Sequence, residues 1–167
     1  MTNYKLMLAV AGLVGLTASQ TMAAMSATDH TFAQKAAAGG LAEVALGQLA
    51  QQNGSAEQVK DFGRRMVADH SAANDELQKI AQSENITLPT TPASKDQALE
   101  KRLSGLKGSA FDAAYTQDMV RDHREDIAEF QREAQSGQDP ALKAFAQKTL
   151  PILQQHLQMA QAVTAQK

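Results

Sequence analysis

Apolar side chains recur every three or four residues along four long stretches of the chain, and this spacing places them on one face of an α-helix. The apolar face of the second stretch starts at Val59, and that of the third starts at Phe111. A shorter stretch around Leu99 has the same spacing. The pattern predicts four long helices and a short one, which cover residues 29–52, 55–84, 95–106, 109–136 and 140–164.

Residues that favour turns and helix ends separate these stretches. Asn53-Gly54 is typical of a helix end, and Ser55-Ala56-Glu57-Gln58 has the form of a capping box that starts the second helix. Pro89 and Pro92 cannot lie in a continuous helix, so a long connection that carries the short helix joins the second and third long helices. Asp139-Pro140 predicts the start of the last helix.

The composition indicates an all-α fold. Aromatic residues make up 4% of the chain, whereas the strong helix formers Ala, Gln, Leu, Lys and Glu are frequent. The chain has no cysteine, so packing rather than disulfide bonds must stabilise it. We predict that residues 28–164 form one domain, an antiparallel four-helix bundle with a single core.

The N-terminal stretch, residues 1–24, has the pattern of a secretory signal peptide. Lys5 supplies the positive charge, residues 6–16 form an apolar run, and residues 17–24 are small and polar. The apolar run is too short to span a bilayer. We therefore expect export to the periplasm and no transmembrane segment after cleavage of the signal.

The net charge bears on the partners of the exported protein. The formal charge of the whole chain is −2, and removal of Lys5 with the signal peptide makes it −3. A mildly acidic surface argues against nucleic acid and against an anionic membrane as partners. The sequence does not indicate which proteins, if any, bind to this one.

Three of the four histidines occupy equivalent places on three predicted helices. His70, His123 and His156 lie in the middle of apolar stripes, and the first two end the related pentapeptides Met-Val-Ala-Asp-His and Met-Val-Arg-Asp-His. Glu43 lies among small residues on the first helix. All four residues fall within about one turn of the centres of their helices. In an antiparallel bundle such positions share one level, so we predict a core layer of three imidazoles and one carboxylate.

A polar layer in a core can be explained in two ways. Each histidine can bond to a neighbour, which would give a self-satisfied network of His and Glu. Alternatively, a metal ion gathers the four groups, since imidazole and carboxylate are ligands for zinc, iron, manganese and copper. Polar groups buried together destabilise a protein unless something satisfies them, so this geometry favours a single transition-metal ion at Glu43, His70, His123 and His156.

Three methionines could extend this ligand set. Met66, Met119 and Met159 each lie one helical turn from one of the three histidines, and Met159 is predicted on the inner face of the last helix. Thioether together with imidazole suits copper, especially Cu(I), whereas iron or manganese would prefer more carboxylates such as Asp126. The alternative is that these methionines fill the core. The sequence does not decide between copper, zinc, iron and manganese.

Several segments resemble the bacterial family called domain of unknown function 4142, in the ferritin-like superfamily. They are Ala-Gly-Gly-Leu-Ala-Glu (38–43), the two Met-Val-x-Asp-His pentapeptides, Phe-Asp-x-x-Tyr (111–115) and Leu-Pro-x-Leu-x-x-His-Leu (150–157). The resemblance covers almost all of the chain after the signal peptide. It implies a ferritin-like four-helix bundle that is exported and often described as an outer-membrane protein. It implies no established activity.

The sequence departs from the better-known ferritin-like enzymes. Those proteins resemble one another in a Glu-x-x-His motif on two helices, which helps to hold two irons. Here the residues three positions before the site histidines are Val67, Val120 and Leu153. Only Asp126, one turn after His123, adds a carboxylate. A single metal ion is therefore a better expectation than a di-iron centre.

Three functions are compatible with these features. The first is an exported bundle that stores, buffers or senses a transition metal. The second is a structural or stress-related protein of the cell envelope whose polar layer is self-satisfied and holds no metal. The third and least favoured is a metalloenzyme, because the sequence shows no second catalytic group. It also has no cysteine, no Ser-centred elbow motif and no Gly-rich phosphate loop.

Overall fold

Helices account for most of residues 25–165, the part of the chain that the computed structural model describes. The predicted signal peptide, residues 1–24, lies outside the described residues. Among the described residues there are five helices and no strand, which confirms the all-α prediction. The helices are α1 (Ala27–Asn53), α2 (Glu57–Ser83), α3 (Ser94–Ser104), α4 (Gly108–Ser136) and α5 (Pro140–Ala165).

The four long helices pack as two hairpins, α1 with α2 and α4 with α5. The hairpins meet where α2 contacts α5 and α1 contacts α4, so the four helices form a ring in the order α1, α2, α5, α4. The short helix α3 packs on α1 and α4. Within residues 25–165, none of the helices combines the length and the hydropathy that a membrane span requires.

Two buried aspartates hold the hairpin loops and show how the helices are directed. Asp112, near the start of α4, accepts hydrogen bonds from the backbone N–H groups of Ser55 and Ala56 (both 3.0 Å) and from the Ser55 hydroxyl (2.6 Å). Asp29, near the start of α1, accepts hydrogen bonds from the backbone of Gln138 and Asp139 (3.2 and 2.8 Å). Helices α2 and α4 therefore begin at the same end of the bundle, and residues 84–107 return along its whole length.

The helix ends are partly as predicted. The Asp139 carboxylate accepts from the backbone N–H groups of Ala141 and Leu142 (2.9 and 2.8 Å), which confirms its capping role. The predicted capping box at residues 55–58 is wrong, because α2 begins at Glu57 and its N-cap, Ala56, has no side-chain bond. Asp112 takes over this function from another helix.

The core consists of two hydrophobic clusters, one towards each end of the bundle. The cluster at the Asp29 end contains three aromatic rings, those of Phe32, Phe130 and Phe145. The cluster at the Asp112 end contains Phe62 and other buried side chains, namely Leu46, Ala50, Val59, Met66, Leu103, Phe111, Tyr115, Met119 and Ala160. Each long helix packs residues into both clusters. The histidine or glutamate predicted for the layer lies between these two groups of residues on its helix.

A close crossing of α1 and α2 lies beside this central level. A Cβ atom on Gly47 would lie 2.8 Å from the carbonyl oxygen of Gly63, and a Cβ on Gly63 would lie 2.7 Å from that of Gly47. Neither position therefore accepts a side chain without movement of the backbone. The small residues of α1 permit this close approach of a neighbouring helix, and Gly47 is where it occurs.

Candidate metal centre

Four buried polar side chains form the layer between the two hydrophobic clusters. Glu43 on α1 is 2% exposed, His70 on α2 is 6%, His123 on α4 is 0% and His156 on α5 is 1%. The ring centroids of the three histidines lie 5.2 to 6.0 Å from one another. One ring nitrogen of each histidine lies within 4.8 Å of one from each of the others. The four residues predicted from the sequence are thus brought together.

Burial keeps the three imidazoles uncharged. It lowers the pKa of His70 to about 4 and that of His156 to about 4, and it lowers the pKa of His123 to about 3. The nearby imidazoles lower the pKa of His123 further. A neutral imidazole has one N–H donor and one nitrogen lone pair. The hydrogen bond at one nitrogen therefore determines which nitrogen is free to bind an ion.

The lone pair of His123 faces the centre of the layer. Nδ1 of His123 lies 3.1 Å from the carbonyl oxygen of Met119, which can only accept. Nδ1 therefore carries the proton, and Nε2 carries the lone pair. Nε2 lies 3.4 Å from Oε1 of Glu43 and 3.4 Å from Nδ1 of His156.

The lone pair of His156 faces that of His123. Nε2 of His156 donates to Oδ2 of Asp69 at 2.8 Å, and Arg65 binds the same oxygen. Although partial burial raises the pKa of Asp69, the hydrogen bonds from His156 and Arg65 lower it overall, so the carboxylate is charged. Nδ1 of His156 then has no proton. Two lone pairs 3.4 Å apart cannot bond to each other, whereas a cation can accept both.

His70 and Glu43 form the remaining contact between two side chains of the layer. Nδ1 of His70 lies 2.8 Å from Oε2 of Glu43. Burial, together with the negative charges of Asp122 and Asp96, raises the pKa of Glu43 well above its usual value. When the proton is on Nδ1, the lone pair of His70 is on Nε2, which is buried and has no hydrogen-bond partner among the described residues.

The layer as a whole does not satisfy itself. Four buried side-chain atoms of the described residues lack a hydrogen-bond partner, and two of them, Oε1 of Glu43 and Nε2 of His70, belong to this layer. Each histidine has one ring nitrogen held by a carboxylate or a carbonyl. The other nitrogens of His123 and His156 face each other, and that of His70 is buried without a hydrogen-bond partner among the described residues. Histidines that bind metals show this arrangement, because the outer hydrogen bond fixes the ring and makes the inner nitrogen more basic. Three such imidazoles are a ligand set for a transition metal with one open position.

Asp69 and Asp122 also lie at this site, although neither was predicted from the sequence to be a site residue. Asp69 orients His156. Asp122 offers an oxygen within 4.8 Å of ligand atoms of Glu43 and His123. A signal was present in the sequence, because an aspartate precedes the histidine in both pentapeptides. Asp126, predicted as an additional ligand, lines a cavity beside Glu43.

The three methionines differ in their positions. Met66 and Met119 are fully buried in the cluster at the Asp112 end, and ligation by their sulfur atoms stays a prediction. Met159 is 36% exposed, so its predicted place on the inner face of α5 is wrong. That face buries Leu153, His156 and Ala160 instead. The methionine beside His156 is thus on the outside of the bundle.

Comparison with known proteins places the chain in a family. Neither a curated protein nor a solved structure matches it. The profile of a domain of unknown function (DUF4142) matches residues 15–163, which include all four residues of the layer. The chain therefore belongs to the DUF4142 family, as the motifs of its sequence led us to expect.

Proposed function

We propose that this protein binds one transition-metal ion through His70, His123 and His156, in order to store, buffer or sense the metal. The observation that carries the proposal is the pair of lone pairs on Nε2 of His123 and Nδ1 of His156, which face each other at 3.4 Å. The buried Nε2 of His70 supplies the third imidazole. A self-satisfied network, the alternative, leaves these nitrogen atoms without a role.

Zinc and copper suit this site better than harder ions. Three neutral imidazoles are good ligands for both metals, and the three outer partners keep the rings in place. We assign Glu43 and Asp69 mainly to orienting His70 and His156, and Met119 contributes its backbone carbonyl to His123. The proposal also includes export, since the predicted signal peptide would deliver the bundle to the periplasm.

The test is a titration of the metal-free protein with Zn²⁺ and Cu²⁺ in competition with a chelator. His70→Ala, His123→Ala and His156→Ala should each lower the affinity by more than the roughly 10–100-fold that loss of an outer hydrogen-bond partner costs. Asp69→Asn should lower it by roughly 10–100-fold, since it removes the charged partner of His156. Elemental analysis of protein from the periplasmic fraction should find one zinc or copper ion per chain.

His30→Ala is the matched control, because His30 is an exposed histidine near the start of α1. It should bind both metals as the wild type does. Circular dichroism of each variant should show the same helical content as the wild type, so that a loss of affinity is not a loss of fold. Equal affinities for the wild type and all four histidine variants would show the proposal to be wrong.

A further inference from the structure

A cavity of ≈ 260 Å³ opens beside the histidine layer, and its wall is rich in acidic side chains. Residues of α1, α2, α4 and α5, together with the start of α3, line it. The acids are Glu43, Asp96, Asp122, Glu125, Asp126 and Glu129. The cavity therefore joins the buried layer to a strongly negative surface.

Two of these acids are paired with lysines that line the same cavity. Glu129 lies 3.3 Å from Lys35, and Asp96 lies 3.9 Å from Lys95. Asp122 and Asp126 receive no hydrogen bond and have no ion pair within 4 Å among the described residues. Two acids of the cavity without a direct partner thus lie together on the α4 wall, next to His123.

The surroundings of Glu43 also indicate a ligand in the cavity. Its side chain is 2% exposed, it lines the cavity, and its Oε1 atom has no hydrogen-bond partner among the described residues. One oxygen of Glu43, one oxygen of Asp122 and one ring nitrogen of His123 all lie within 4.8 Å of one another. Ligand atoms of a single divalent cation are separated by distances of this size, since each bond is about 2.0–2.6 Å long.

We propose that the cavity is a second cation site, in which Oε1 of Glu43, Asp122 and Asp126 bind a hard divalent cation of the Mn²⁺, Mg²⁺ or Ca²⁺ class. Such cations prefer oxygen ligands and keep several water molecules, and the cavity has room for those. His123 has only one lone pair, which the three-histidine site uses. The second site therefore depends on carboxylates, and it does not require an ion at the first.

The test uses Mn²⁺ as the probe, with the free ion counted by its electron paramagnetic resonance signal during titration of the full metal-free protein. Asp122→Asn and Asp126→Asn should each weaken Mn²⁺ binding by about tenfold or more, because each removes a charged ligand. Both replacements keep the side-chain shape and remove repulsion between acids, so the bundle should fold. Circular dichroism of both variants would check this.

Two further variants separate this site from the three-histidine site. Asp75→Asn makes the same change of charge at an exposed position of α2 outside the cavity, and it should leave Mn²⁺ affinity unchanged. His156→Ala should abolish tight Zn²⁺ binding but also leave Mn²⁺ affinity unchanged, since His156 does not line the cavity.

Three results would overturn the inference. An Mn²⁺ affinity of Asp122→Asn equal to that of the wild type and of Asp75→Asn would mean that the cavity holds no such ion. A loss of Mn²⁺ affinity in His156→Ala as large as that in Asp122→Asn would place Mn²⁺ at the histidines. Finally, an equal loss of Zn²⁺ and Mn²⁺ affinity in Asp122→Asn would reduce the two sites to one. A wild type that binds Mn²⁺ in this way but does not bind Zn²⁺ would contradict only the proposed function.

Discussion

Asp112 and Glu43 are buried to the same extent, each 2% exposed, but their surroundings differ. At the end of the bundle, Asp112 accepts three hydrogen bonds from Ser55 and Ala56, so both of its oxygens are bonded. In the middle, Glu43 has one oxygen next to His70 and the other without a hydrogen-bond partner among the described residues. The carboxylate of Asp112 therefore holds the α1–α2 loop, whereas that of Glu43 keeps one oxygen without a hydrogen bond from the described residues.

This difference separates a structural acid from a functional one. A buried carboxylate that caps backbone N–H groups stabilises the fold, because its loss would leave those donors unsatisfied. A buried carboxylate with a free oxygen destabilises the fold, and an ion that binds it would reverse that effect. Measurements of stability and of metal affinity should therefore respond in opposite ways at the two positions.

The largest effect on stability should come from Asp112→Ala. Loss of the carboxylate leaves the backbone N–H groups of Ser55 and Ala56 without acceptors at the α1–α2 loop, so the free energy of unfolding should fall by about 3 kcal/mol. Urea unfolding of the metal-free protein measures this. Zn²⁺ affinity should not change, and a loss of both properties would contradict the separation of the two acids.

Glu43→Gln should show the reverse. Burial raises the pKa of Glu43, so the folded protein disfavours its ionised form, and an uncharged amide should leave the stability of the metal-free protein equal or up to about 1 kcal/mol higher. Zn²⁺ affinity should fall by roughly tenfold, because the amide cannot become the carboxylate that would accept the His70 N–H more strongly once an ion is bound. The same urea and chelator experiments apply. A destabilised variant with normal Zn²⁺ affinity would make Glu43 a structural acid like Asp112.

Glu133 provides a smaller, pH-dependent version of the comparison. Burial, with the nearby charges of Asp29 and Asp139, raises its pKa from 4.5 to about 7. The folded state therefore binds more protons than the unfolded state between those values, and stability falls as the pH rises through this range. Glu133→Gln should remove that loss. Relative to the wild type, the variant should gain about 1 kcal/mol between about pH 5 and about pH 8, as thermal unfolding at both values would show.

The fold and the layer were predictable because both depend on spacing along single helices. The three- and four-residue repeats define the inner face, and His70, His123 and His156 lie on those faces near mid-helix. The hydrogen bond from His156 to Asp69 was not predictable, because it depends on α5 packing beside α2, which no local pattern reveals. The same reason explains the false capping box, since the true cap, Asp112, lies 57 residues from Ser55.

The error at Met159 has a different origin. Met159 and Ala160 follow His156 by three and four residues, and both are apolar, so the spacing fits either of them. Packing selects Ala160, because the inner face of α5 also contains Leu153 and Thr149. Where two apolar residues compete for one inner position, periodicity alone does not decide.

The contact between Gly47 and Gly63 limits how this bundle can adapt to other ions. Glu43 lies one turn before Gly47, and His70 lies two turns after Gly63, so two backbones in contact fix the separation of these side chains. To widen that half of the centre, a side chain would have to replace Gly47 or Gly63 and push the two backbones apart. Evolution or redesign towards an ion of larger radius is therefore expected to act on α4 and α5, which carry His123 and His156.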